Sequence, residues 1–304
     1  MTVLSLPERV TIREVGPRDG LQAEKPLPVG DRVRLIDALS ATGVRKIEAV
    51  SFVSPRAVPA MADAERVWAG ISRAPGVAYS ALVPNRIGAE KASEAGVDAL
   101  KAFLAASDDY NRKNVNRSVE ESIADVAEVV EVGRAAGIPV EVAISAAFGD
   151  PYEGDVPPER VARVAARLVE VGCVGISLGD TTGMATPVRL VQVLDHLRER
   201  VPGVPLNLHL HDTRGTAMAN ALAGLQAGIT DFDSSVGGMG GSPFAPGANG
   251  NVATEDLVYM LEDMGVATGV DLAAMIATAK LAEDLLGHAL PGQIHVAGPR
   301  PGGE

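Results

Sequence analysis

The chain has 304 residues, of which 46% are hydrophobic and 22% charged, a balance that suits a globular protein with a full core. Its formal charge of −12 argues against a nucleic-acid or membrane-surface role, because phosphates are repelled on average. A small anionic ligand is not excluded, since a local basic patch can override the net sign.

Met1 to Arg9 has neither the charged-then-apolar order of a signal peptide nor an Arg-rich presequence, and no apolar run approaches the ~20 residues that cross a bilayer. The expected compartment is therefore the cytoplasm. Strand-like segments follow at Val10 to Val15, Lys46 to Phe52, Tyr79 to Val83 and Ala99 to Ala105. Four more are expected at Val140 to Ala146, Gly175 to Leu178, Leu206 to His211 and Asp231 to Val236. Several are near-continuous apolar runs, as in buried parallel strands. Between them an amphipathic stretch ends at a glycine: Gly43, Gly76, Gly96, Gly137, Gly172, Gly203 and Gly228. Glycine just past a helix end adopts φ > 0 without a Cβ penalty and closes the last turn.

Ser118-Val-Glu-Glu121 reads as a capping box opening a helix to about Ala136. Cys173, the one cysteine, excludes intramolecular disulfides and reads as a packed core thiol. Leu272 to Leu286 is one extra helix, and Val296 to Glu304 is Gly/Pro-rich and expected to fray. Strict alternation of strand and helix implies a parallel sheet. Eight units at this length, with no Gly-x-Gly-x-x-Gly after the first strand, favour a closed (β/α)8 TIM barrel over an open sheet. The expected organisation is a single domain: barrel about 10–265, helical extension 266–290 and tail 291–304.

In such a barrel chemistry is built at the carboxyl ends of the strands. The first strand ends in Gly16-Pro-Arg-Asp-Gly-Leu-Gln22, either a surface turn or a mouth at which Arg18 and Asp19 set a cation beside a hard oxygen ligand. His209 and His211, two apart on the seventh strand, face the same way and suit a divalent ion with carboxylate partners. Glu48, inside an apolar strand, must be paired, through Arg18, the metal shell or a structural ion pair. Ser177 and Asp180 put further polar groups at the end of the sixth strand. Gly237 to Gly241 holds four glycines in five residues, and with the segment to Asn251 forms a phosphate cradle, a closing lid or a plain connector. Arg112, Lys113 and Arg117 make the best local basic patch, either a dock for an anionic cofactor or solvated loop charges.

These segments together resemble the 3-hydroxy-3-methylglutaryl-CoA lyase family of metal-dependent lyase and aldolase barrels, from about Val10 to Leu286. The matching pieces are Gly-Pro-Arg-Asp-Gly-Leu-Gln, Ile-Glu-Ala-Val-Ser-Phe-Val-Ser-Pro, His-Leu-His-Asp-Thr and the glycine loop running into Gly-Asn-Val-Ala-Thr-Glu-Asp-Leu. The resemblance implies metal ligands at Asp19, His209, His211 and Asn251, with Mg2+ or Mn2+ or another divalent ion bound. It implies a catalytic Arg18 with Glu48 as its acidic partner, a base at His209 or a metal-linked water, and further active-site positions at Gln22, Ser51, Ser177 and Asp180. Ser242 stands where the family's loop has a proton-handling cysteine, and Arg214 where Tyr is frequent. The implied activity is cleavage of a 3-hydroxy-3-methyl acyl-CoA to acetyl-CoA and acetoacetate, by a homodimer or higher homo-oligomer. An aldolase or condensing enzyme for another hydroxy acid, and a non-catalytic binding protein on a degenerate scaffold, are the alternatives.

Overall fold

The computed structural model describes residues 4–241 and 250–300. Among them the parallel strands β1 (Thr11–Glu14), β2 (Lys46–Ser51), β3 (Ala78–Leu82), β4 (Ala99–Ala105), β5 (Val140–Ser145), β6 (Gly175–Gly179), β7 (Leu206–His209) and β8 (Asp231–Ser234) close in chain order into a barrel. The closing pair runs from Thr11 opposite Asp231 to Glu14 opposite Ser234. The expected strands and the barrel are all present, with ends shifted by one or two residues. All seven junction glycines have positive φ, from +71° at Gly137 to +107° at Gly172, which accounts for the recurring pattern.

The capping box at Ser118 and Glu121 opens the helix Val119–Ala136, and the extra helix spans Leu272–Leu286. Apolar residues such as Ile12, Ile47, Leu100, Val142, Ile176, Leu208 and Phe232 form the core between sheet and helices. Cys173 packs there, and burial pushes its thiol up to about 12. No helix among the described residues is long and apolar enough to cross a membrane.

The bore of the barrel is different. Arg13 of β1 reaches Glu141 of β5 at 2.5 Å, and Lys101 of β4 lies 3.7 Å from Asp233 of β8. Neither pair belongs to neighbouring strands, so these contacts cross the interior. The period of two along each strand thus sends apolar side chains to the helices and polar ones into the bore.

A short helix, Ile294–Ala297, runs two residues into the segment expected to fray from Val296. Its His295 is buried, with Nδ1 2.8 Å from Glu255 and Nε2 3.3 Å from Glu283. Two carboxylates around one imidazole anchor this helix.

Glu14 ties the exit of β1 to that of β8. Its Oε1 accepts hydrogen bonds from the amides of Gly16 (2.7 Å) and Val236 (2.9 Å), and its Oε2 from Thr254 (2.6 Å). Complete burial nevertheless pushes the carboxyl from an ordinary 4.5 to about 7. The folded chain therefore holds this proton more tightly than the unfolded one. The associated stability is full below pH 4.5 and is lost as pH rises to about 7, by up to about 3 kcal/mol. The difference in unfolding free energy between native protein and Glu14→Gln should change across that window; a constant difference would show that Glu14 does not titrate there.

Candidate metal centre

Gly16–Gly20 wind a single π-helical turn after β1, in which the amides of Asp19 and Gly20 both reach the carbonyl of Val15, at 2.7 and 3.2 Å. Such turns cluster at functional sites. Glycine is required at both ends by close approach: a Cβ at Gly16 would sit 2.6 Å from Glu14 Oε1, and one at Gly20 would sit 2.8 Å from Ser235 Oγ. The turn buries Arg18 and Asp19 instead of exposing them. Of the two readings of this motif, the surface turn is excluded.

Arg18 is clamped. Its Nε donates to Glu48, and its Nη1 donates to Asp19 Oδ1 at 2.6 Å. Burial works against the guanidinium charge, but Glu48 and Asp19 outweigh it and raise its pKa. Gln22 donates to the same Asp19 oxygen at 2.9 Å. The other oxygen, Oδ2, accepts from Asn251 Nδ2 at 2.8 Å and lies 3.7 and 4.0 Å from Nε2 of His209 and His211. Although burial alone would raise the Asp19 carboxyl, Arg18 and the two imidazoles hold it down at about 2.

His209 closes β7, and His211 follows two residues later in an antiparallel bridge with Asn251. That bridge brings Asn251, forty residues downstream in sequence, to the mouth. The two Nε2 atoms face each other at 3.1 Å. His209 Nδ1 lies 3.2 Å from Asp233 Oδ2. Burial opposes charge on His209, but Asp233 and Asp19 outweigh it and raise its pKa. His211 is pushed down to about 4, first by burial and then by its neighbour.

This donor set fits a divalent cation. One ligand atom each from Asp19, His209 and His211 lies within 4.8 Å of the others. Two ring nitrogens at 3.1 Å share one direction, and a cation accepts both lone pairs there. Asn251 Oδ1, a hard oxygen, is buried with no hydrogen-bond partner. Imidazole, carboxylate and amide oxygen without thiolate suit Mg2+, Mn2+ and related ions.

The remaining sequence candidates differ in their settings. Ser51 and Asp180 are buried, and Ser51 Oγ and Asp180 Oδ2 have no hydrogen-bond partner. Burial pushes the Asp180 carboxyl up to about 7, against hydrogen bonds from the amides of Ala185 and Met184. Ser177 points into the bore, donating to Asn207 at 2.5 Å, with Asp233 3.4 Å away. Arg112, Lys113 and Arg117 remain exposed, Lys113 over the Tyr152 ring and Arg117 paired with Asp125 at 3.4 Å. Arg214 donates to the Thr182 carbonyl at 2.5 Å. Ser242 and residues 243–249 of the glycine-loop segment lie outside the described residues.

Sequence reading missed Asp233. Its signal was available: Asp231 and Asp233, two apart in a barrel strand, share a face, as His209 and His211 do. Arg13, Lys101 and Glu141, single charges inside strand runs, carry the same signal.

The HMGL-like family model matches residues 9–282. A hydroxymethylglutaryl-CoA lyase of Bacillus subtilis is 48% identical over 94% of this chain and 96% of its own length. The crystal structure of the Bacillus subtilis HMG-CoA lyase superposes with a TM-score of 0.93, covering 96% of this chain and 98% of that one. An HMG-CoA lyase from Acinetobacter baumannii, solved in complex with coenzyme A and 3-methylmalate, is 39% identical with the same TM-score and covers 99% of this chain and 98% of its own. With its barrel, its candidate metal cluster and its sequence all in agreement over nearly the whole length, the chain belongs to the HMGL-like family.

Proposed function

We propose that this enzyme is a hydroxymethylglutaryl-CoA lyase, cleaving 3-hydroxy-3-methylglutaryl-CoA to acetyl-CoA and acetoacetate. The observation that carries the reading is the convergence of Asp19, His209 and His211 beside the clamped Arg18, in a chain 48% identical to a named lyase. Asp19, His209, His211 and Asn251 would hold Mg2+ or Mn2+, which when bound supplies a Lewis acid that orients substrate oxygens and acidifies a hydroxyl.

The protein's own groups do the rest. Arg18, fixed on two sides by Glu48 and Asp19, keeps a full positive charge aimed at the mouth. It stabilises the negative charge that develops on the thioester oxygen as the C2–C3 bond breaks. His209 has Nδ1 engaged by Asp233 and Nε2 directed at the cluster, which favours the ligand role over that of the base. Asp180 takes the proton instead: Oδ2 has no partner, and its carboxyl at about 7 is matched to proton transfer near neutrality. Ser51 and Gln22 line the same mouth as substrate contacts. Ser242, or a water it holds, supplies the proton to the enolate carbon. The exposed Arg112, Lys113 and Arg117 are the anchor we assign to the CoA phosphates.

The test is acetoacetate release from 3-hydroxy-3-methylglutaryl-CoA with Mg2+, with EDTA, and with Ser242→Cys. Metal-dependent release by the native protein is the expected result. Silence in the native protein with activity in Ser242→Cys would indicate a scaffold retuned for another hydroxy acid, and silence in both would defeat the lyase reading.

A further inference from the structure

The bore of a (β/α)8 barrel is ordinarily filled by layers of branched aliphatic side chains. Here its middle is charged. Arg13, Lys101 and Asp233 are each no more than 3% exposed, and Glu141 joins them from the lower end. Replacing buried ion pairs by packed apolar residues is frequently neutral or stabilising, so fold stability alone does not account for this group.

Its arrangement converges on one carboxylate. Lys101 Nζ lies 3.7 Å from Asp233 Oδ2, and Arg13 Nη1 lies 3.7 Å from Oδ1, one cation per oxygen. Glu141 balances both cations, at 2.5 Å from Arg13 and 3.8 Å from Lys101. Asp233 Oδ2 is also the oxygen 3.2 Å from His209 Nδ1. A carboxylate flanked by two cations stays ionised and can only accept a hydrogen bond. The neutral His209 ring must then carry its proton on Nδ1, which leaves the Nε2 lone pair facing His211 and Asp19.

We propose that Lys101 and Arg13 are positioning residues, acting from inside the barrel through Asp233 to fix the tautomer and orientation of His209. The inference rests on the metal-centre reading above. Neither cation contacts the ligand cluster directly; their effect passes through a single carboxylate, that of Asp233. That route gives the inference a signature that general loss of packing does not share.

Mn2+ binding is measured by titration calorimetry on the native protein, Asp233→Asn, Lys101→Met and the double variant, with the His209 tautomer read by 15N NMR on the metal-free protein at alkaline pH. Asp233→Asn should weaken Mn2+ by about 10- to 100-fold, and Lys101→Met by roughly tenfold, the lower end of outer-shell losses. In the Asp233→Asn background, Lys101→Met should cost nothing further, because its route is already cut. Lys101→Arg should bind as the native protein does. Native-like Mn2+ affinity in Lys101→Met, or a loss that adds in full to that of Asp233→Asn, would overturn the proposal. If Lys101→Met fails to fold, Lys101→Met with Glu141→Gln keeps the bore neutral and takes its place. A native protein that binds no Mn2+ would strike the metal reading itself; the ring tautomer, read without metal, would still decide the positioning.

Discussion

Arg18→Gln is expected to lower kcat by about 1,000-fold while leaving Mn2+ affinity within a few-fold of native. The magnitude follows from removing a preorganised charge at a developing oxyanion in a water-poor site. The metal ligands stay in place, because Asn251 and Gln22 still hold Asp19. Stability also falls. Glu48 is fully buried, Arg18 reaches its Oε1 and its Oε2 has no hydrogen-bond partner, so losing the guanidinium leaves an unpaired internal carboxylate, at about 3–5 kcal/mol. Kinetics must therefore be read well below the melting temperature. Adding Glu48→Gln should recover much of the stability and none of the kcat, separating the two roles of the pair. Turnover unchanged in Arg18→Gln would remove Arg18 from the chemistry.

Asp19→Asn should fail in the complementary way. Here the charge that faces both imidazoles and Arg18 is lost, so Mn2+ binding is expected to weaken by at least about 100-fold, beyond a typical outer-shell loss. Activity at ordinary metal concentration should drop to the level measured with EDTA, and raising Mn2+ should restore part of it. Native Asp19 is ionised across the working range, with its carboxyl at about 2, and the asparagine amide cannot ionise, so the loss should not be rescued by raising the pH. Calorimetric binding close to native would mean that the ion sits elsewhere. Together the two variants separate holding the metal from stabilising charge: adjacent residues on one turn, with opposite profiles.

The barrel was legible because its signals are local. A glycine at each helix end marks a backbone position with positive φ, and all seven such positions are found. A capping box needs only four residues, and the period of two placed His209 and His211 on one face without knowledge of their neighbours. Arg18, Asp19 and Glu48 were legible as candidates for a different reason: charge in an apolar or Gly/Pro setting needs a partner. Whether the first motif made a surface turn or a buried mouth was open until Gly16–Gly20 were seen wound into a π-turn beneath Ser235 and Met239. The helix Ile294–Ala297 was not legible, because a single histidine docked between two carboxylates does not show in composition.

By itself, then, the sequence determined the eight alternating units, their closure into a barrel, and the residue types of a candidate metal site, all of which depend on neighbours within a few positions. Tertiary structure alone decided which charges meet. Asp233 reaches His209, Arg13 reaches Glu141 across the bore, and Lys101 stands between two carboxylates from strands that are far apart in the chain. The physical reason is range: backbone preferences and periodicity are set by adjacent residues, whereas a buried charge is stabilised by whatever closure of the sheet brings within about 4 Å of it.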